Sequence, residues 1–177
     1  MRRLALFLPI FLLASSALAA NSSPSLGIVS PSTGSSAPNQ TITFTTTYSD
    51  PNGWKNIQYA YFLIDSYIGG ARCFYAYYDQ NTNKLYLRDD ANTKWLGGYA
   101  PKSGYTIENS YVKLSCLSTT YAGSGNILTI KWCITFKTPF SGVKNTYLYV
   151  RDDYGLSAGW TKKGDYCIFR EPVTAPN

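Results

Sequence analysis

The sequence predicts an all-β domain, a two-sheet antiparallel β-sandwich of about eight or nine short strands. Three observations carry that expectation. Apolar and polar residues alternate at period two in several segments, clusters of Gly, Pro, Asn and Asp interrupt the chain roughly every 8 to 12 residues, and no long stretch shows the apolar period of a helix. The composition agrees: among 177 residues there are 16 Tyr, 14 Gly and 9 Pro but one Met, and only 15% are charged, which argues against a coiled coil, a helical bundle or a disordered chain.

Residues 1–19 read as a secretory signal peptide. Arg2 and Arg3 form the basic region, Leu4 to Leu13 the apolar core, and Ala17-Leu18-Ala19 the small-residue cleavage pattern. The apolar run is too short for a membrane span, which needs about 20 residues. Cleavage after Ala19 takes Lys+Arg from 16 to 14 against 10 Asp+Glu, so the net charge of +6 becomes +4. The ten lysines are dispersed, so nucleic acid is not an expected partner. The expected location is secreted or periplasmic.

Residues 20–39 form a Ser/Pro/Gly-rich start with one edge strand around Leu26-Gly-Ile-Val29, and residues 40–170 form the sandwich, followed by a disordered tail at 171–177. Thr41 to Tyr48 alternates, with Ile42, Phe44 and Tyr48 on one face and threonines on the other. Asp50-Pro-Asn-Gly53 is a turn. Ile57 to Ile64 is apolar at nearly every position, which predicts a central strand covered on both faces, with Tyr59 and Tyr61 in the core. Cys73 to Tyr78 and Lys84 to Arg88 read as a hairpin around Asp79 to Asn83, and residues 89–110 as loop. Tyr111 to Cys116, Ile127 to Lys137, Thr146 to Arg151 and Tyr166 to Phe169 complete the strands. Leu128, Ile130, Trp132, Ile134 and Phe136 face inward on the clearest of them.

Four cysteines in a secreted domain predict two disulfides. Cys116 shares the inward face of Val112 and Leu114, whereas Cys133 lies outward beside Lys131 and Thr135, so the two do not meet. The expected pairs are therefore Cys73 with Cys116 and Cys133 with Cys167, each worth about 4 kcal/mol in the chain-entropy model. Without histidine or a Cys-x-x-Cys pair, the chain lacks the means for a zinc site or an activated thiolate.

Leu85-Tyr-Leu-Arg-Asp-Asp90 with Trp95 recurs as Leu148-Tyr-Val-Arg-Asp-Asp153 with Trp160. Both segments read as strand ends running into polar turns, with an aromatic residue folding back over the strand. Together with Tyr48-Ser-Asp-Pro-Asn-Gly-Trp-Lys-Asn-Ile57 and Cys73-Phe-Tyr-Ala-Tyr-Tyr78, these segments resemble the immunoglobulin-like or fibronectin-type β-sandwich modules of secreted bacterial surface proteins. The resemblance covers roughly residues 25–170 and implies a spacer, adhesive or binding unit without catalytic residues. It also implies that the turns after the second strand and before the last share one end of the sandwich. Asp50, Asn52, Asp152 and Asp153 would then form a candidate Ca²⁺ site, although each is also an ordinary turn former. No other cofactor is expected.

Three functions follow. The first is a non-catalytic binding or structural module whose partner is a protein or polysaccharide at the cell surface. The second is carbohydrate binding, because Tyr59 with Tyr61, Tyr75 with Tyr77 and Tyr147 with Tyr149 stand at i, i+2 and project pairwise from one face. The outward candidates are Tyr147 and Tyr149, with Trp160 beside them. The third is a glycoside hydrolase with one carboxylate each from Asp89/Asp90 and Asp152/Asp153 in a shared cleft, since the absence of histidine removes Ser-His-Asp and Cys-His chemistry. The favoured expectation is that the protein is not an enzyme.

Overall fold

The structure is a computed structural model that describes residues 20–169. The expected signal peptide at 1–19 and the expected disordered tail at 171–177 lie outside the described residues. The described chain is all-β and forms two facing sheets. Its strands are β1 (Ser25–Ser30), β2 (Thr33–Ser36), β3 (Thr41–Ser49), β4 (Ile57–Asp65), β5 (Phe74–Asp79), β6 (Lys84–Arg88), β7 (Trp95–Tyr99), β8 (Thr106–Glu108), β9 (Val112–Ser115), β10 (Thr120–Ser124), β11 (Ile127–Phe136), β12 (Gly142–Asp152) and β13 (Ser157–Ile168). One sheet runs β1-β3-β11-β9-β8, with β10 also paired to β11; the other runs β2-β13-β12-β4-β5-β6-β7. Every pair is antiparallel except β2 with β13. No helix of the described residues is long and apolar enough to cross a membrane.

The period-two alternation explains the core. Phe44, Tyr48, Trp132 and Phe136 of the six-stranded sheet are fully buried against Phe62, Phe74, Leu85 and Leu148 of the seven-stranded sheet. Phe44 meets Phe62 at a centroid distance of 5.6 Å, and Trp132 meets Phe74 edge-on at 6.2 Å. The polar ends of these rings are satisfied inside the core. Trp132 Nε1 donates to Thr46 Oγ1 (2.9 Å), and the Tyr48 hydroxyl crosses between the sheets to donate to the Tyr61 carbonyl (2.8 Å).

The strand count rises to thirteen among the described residues because short edge strands carry little periodicity of their own. β7 contains Gly97 and Gly98, both at positive φ, and pairs with β6 through a register shift. Glycines that read as loop are here the residues of a bulge. β2 has no apolar side chain, β8 has three residues, and β10 is held by its hairpin with β11. The Ser/Pro/Gly-rich start therefore supplies an edge strand to each sheet rather than one strand to one.

The expected disulfides are not formed; all four cysteines are free. Cys133 and Cys167 alternate with core residues on their strands, between Trp132 and Ile134 in one sheet and between Tyr166 and Ile168 in the other. They thus lie on the outer faces of opposite sheets, and the whole sandwich separates them. Facing within a sheet therefore does not decide the pairing; the sheet that each strand joins does. Cys73 and Cys116 both belong to the core, but as separate thiols.

Asn109 ties the sheets together at one end. Its amide donates to the carbonyls of Cys73 and Arg88 (3.0 Å each) and its oxygen accepts from the amides of Tyr111 and Val112 (2.9 and 3.0 Å). The side chain is 8% exposed, so none of these groups finds water easily. Asn109→Ala should destabilise the fold by about 2–4 kcal/mol, because two carbonyls and two N–H groups lose their partner together. Urea denaturation of the variant measures this; a loss below 1 kcal/mol would show that the tie is dispensable.

Candidate functional site

The centre of the seven-stranded sheet is aromatic on its outer face as well as its inner one. On β4, Ala60, Phe62 and Ile64 point into the core with no exposed surface, so Tyr59 and Tyr61 point outward. The same alternation turns Tyr75 and Tyr77 of β5, Tyr86 and Arg88 of β6, and Tyr149 and Arg151 of β12 to that face. Register then aligns them. Tyr149 pairs with Tyr61, Tyr61 with Tyr77 and Tyr77 with Tyr86, which makes one tyrosine row across four strands. Trp95 from β7 and Trp160 from β13 close the two flanks.

Tyr61 is the hub. The rings of Tyr59, Tyr75, Tyr77, Tyr149, Trp95 and Trp160 surround it at centroid distances of 5.1 to 6.3 Å. Tyr77 stacks on Tyr86 at 4.7 Å and meets Trp95 edge-on at 4.5 Å. All eight rings are half-buried. Arg88 lies over Trp95 at 4.0 Å, and Arg151 joins Tyr61, Tyr75, Tyr149 and Trp160 in lining a cleft of about 230 Å³. Neither guanidinium has a carboxylate within ion-pair distance among the described residues. The six phenols and two indole N–H groups make no hydrogen bond to other described residues, so their donors remain available. Burial pushes the Tyr61 phenol up to about 12, with neighbouring Tyr75, Tyr59 and Tyr149 adding to the rise and Arg151 opposing it. Burial likewise raises Tyr75 and Tyr77.

Two of the three outward residues read from the sequence, Tyr149 and Trp160, meet in this face at 5.5 Å. Tyr147 does not take part. It shares the face but is 8% exposed, packed beside Leu63 across β4, and its hydroxyl accepts from Asn145 Nδ2 (2.9 Å). Tyr59 and Tyr61, expected in the core, stand in the outer layer instead, because the apolar run of β4 is a core face interleaved with an aromatic one. Tyr86, Trp95, Arg88 and Arg151 were not singled out as ligand residues. Their signal was the repeated Leu-Tyr-Leu/Val-Arg segment, whose alternation places tyrosine and arginine on one side.

The other candidates have structural occupations. Asp50, Asn52, Asp152 and Asp153 do gather at one end of the sandwich, but N–H donors fill the oxygens of both buried carboxylates. Asp50 accepts from the Asn52 amide (2.8 Å) and Asn56 Nδ2 (3.0 Å); Asp152 accepts from the Tyr154 and Leu156 amides (2.9 and 2.8 Å) and Asn21 Nδ2 (2.7 Å). Asn56 also donates to Asn21 Oδ1, so the network clamps the start of the described chain. Among the described residues no group of three or more His, Cys, Asp or Glu is placed to hold a metal ion.

Asp89/Asp90 and Asp152/Asp153 follow β6 and close β12 at opposite ends of the sheet, so they share no cleft. Asp89 and Asp90 line a different cleft of about 370 Å³ with Glu108 and Lys137. There the amide of Lys94 and the groups of Thr93 hold Asp89 below the usual carboxylate range, and Lys137, 3.0 Å away, does the same for Glu108. A glycosidase acid needs a raised pKa, the reverse of both. Burial pushes Cys73 up and Cys116 to about 11, so neither is an activated thiol.

Compared with known proteins, the chain matches no family model and no curated sequence.

The tyrosines also set an alkaline limit. Tyr48, Tyr61, Tyr75, Tyr77 and Tyr78 all have folded pKa values above the ordinary 10.0, chiefly through burial. Such groups contribute stability in full below pH 10, and that contribution falls as pH rises through their folded values. Stability should therefore hold to about pH 10 and decline toward pH 12, with phenolate absorbance and loss of β circular dichroism rising together. Phenolate appearing fully at pH 10 in an intact fold would contradict this.

Proposed function

We propose that the protein is a non-catalytic binding module of the immunoglobulin-like or fibronectin-type sandwich class, acting in the periplasm or at the cell surface, and that the outer face of the seven-stranded sheet binds carbohydrate. The observation that carries this reading is the half-buried layer of eight rings with free phenol and indole donors. Sugars present apolar C–H faces and peripheral hydroxyls, and such a layer offers ring faces and hydrogen-bonding groups to match them. A layer made only to cover the sheet would be served by aliphatic side chains, without polar groups left unpaired. The rings already pack against one another, so little side-chain entropy is lost on binding.

Affinity electrophoresis against a panel of soluble polysaccharides tests the reading. A bound polysaccharide should lose between about two-fold and ten-fold in affinity for Trp160→Ala and for Trp95→Ala, given about 0.5–1.5 kcal/mol per aromatic contact beyond area. Leu117→Ser, 62% exposed and on the other sheet's side, should bind as the parent does. If both tryptophan variants fold and bind like the parent, the face is not the site.

A further inference from the structure

The repeated segments come together as two halves of one site. Tyr86, Arg88 and Trp95 belong to the β6–β7 hairpin; Tyr149, Arg151 and Trp160 belong to the β12–β13 hairpin. The sheet order β13-β12-β4-β5-β6-β7 places these hairpins on either side of the central β4–β5 pair. Because every neighbour there is antiparallel, β12 and β6 run in opposite directions. An approximate two-fold axis normal to the sheet, passing between Tyr61 and Tyr77, therefore exchanges the halves. Register supports it: Tyr149 pairs with Tyr61 as Tyr86 pairs with Tyr77, and Arg151 pairs with Tyr59 as Arg88 stands opposite Tyr75, one step beyond the Ala76–Leu87 pair. The tryptophans match less closely, since register shifts in both hairpins offset Trp95 from Trp160.

Each half carries a guanidinium that lacks an ion-pair partner among the described residues. Arg88 lies over Trp95 at 4.0 Å and beside Tyr75 at 5.8 Å, and its Nε is buried without a hydrogen-bond partner. Arg151 is exposed at the rim of its cleft. A cation withdrawn from water among rings and left unpaired is unfavourable by itself, and an anionic ligand relieves it.

Resting on the carbohydrate reading, we propose that this face binds an acidic polysaccharide whose repeating carboxylates pair with Arg88 and Arg151 while the sugar rings between them lie on the tyrosine row. The two arginine Cα positions are separated by three strand spacings, about 14 Å, and by about 13 Å along the strands. One sugar ring does not span that distance, so the occupant is a polymer, and repeated acid groups match repeated guanidiniums. The planar fork of arginine suits a carboxylate and stacks on an aromatic face at the same time. Single-stranded nucleic acid fits less well: apart from the stacked Tyr77–Tyr86 pair the rings pack edge-on or tilted at 4.5 to 6.3 Å, without slots for intercalated bases, and two guanidiniums on opposite sides of the tyrosine row do not track a phosphate backbone.

Isothermal titration at physiological salt with polygalacturonate, its methyl-esterified form, polyglutamate and a single-stranded oligonucleotide tests the proposal. Polygalacturonate should bind at least about ten-fold more tightly than the esterified polymer. Arg151→Gln and Arg88→Gln should each remove most of that preference by weakening polygalacturonate far more than the esterified polymer, and Trp160→Ala should weaken both polymers alike. Arg88→Lys keeps the charge without the fork and should resemble Arg88→Gln; it also guards against misfolding of the glutamine variant. Equal binding of the two sugar polymers, unchanged by the arginine variants, overturns the acidic specificity and leaves the carbohydrate reading standing. Binding of neither overturns both. Polyglutamate or the oligonucleotide bound as tightly as polygalacturonate, with Trp160→Ala unchanged, reduces the face to a general anion attractor and overturns the proposal.

Discussion

The molecule depends on one strand having two apolar faces. β4 lies at the middle of the seven-stranded sheet, and its inner residues Ala60, Phe62 and Ile64 are sealed against the opposing sheet. Alternation then forces Tyr59 and Tyr61 outward, where no second sheet meets them. The Tyr48 hydroxyl, donating to the Tyr61 carbonyl from across the core, fixes the backbone of the residue whose ring centres the outer layer. Core packing and the candidate site thus share a single residue.

The outer layer persists because rings bury one another. Apolar ring carbon left in water costs roughly 25 cal/mol per Å², and neighbouring strands at about 4.8 Å are close enough for aromatic residues in register to cover each other's edges. This cover is incomplete by geometry. Rings standing on one flat face seal their sides but not their tips, so the phenol and indole groups find no hydrogen-bond partner among the described residues while the carbon frames are packed against one another. Packing without saturation is what a binding surface requires and what a core excludes.

The long strands were legible because burial wrote itself into their period. Thr41–Ser49 and Ile127–Phe136 each alternate over four or more pairs, and their boundaries fall within a residue or two of the expected ones. Short edge strands such as Thr33–Ser36 and Thr106–Glu108 form because a neighbour offers hydrogen bonds, a cause that no local pattern records. The disulfide expectation failed for a related reason, since facing is readable from alternation but sheet membership is not. For the site, alternation was sufficient to turn Tyr149 outward, yet the covered state of Tyr147 depends on Leu63, a residue on another strand. The most informative sequence feature was the repeated Tyr-x-Arg segment. Its meaning stayed hidden because two remote hairpins become neighbours of one strand pair only through the crossover order of the sheet.

The choice of cation argues that the face has more to do than cover β4. Three arginines lie among the described residues, and two of them, Arg88 and Arg151, occupy the equivalent positions of the two hairpins. Lysine at these positions would supply the same charge and a stem long enough to cover a ring. A lysine ammonium has no planar fork with which to stack on a ring and pair with a carboxylate at once, whereas Arg88 holds its guanidinium carbon 4.0 Å from the Trp95 ring centroid. Among the described residues no carboxylate lies within ion-pair distance of either guanidinium: Asp79 shares the face but stands beyond Tyr59 from Arg151 and accepts from the Thr82 amide, and acidic residues follow both arginines directly in sequence. Asp89 and Asp152 turn instead to the N–H groups of their own loops, Asp90 to the Ser110 amide and Asp153 to Asn81. N–H donors of turns and neighbouring loops thus occupy these carboxylates, and the two guanidiniums keep their charge beside the rings.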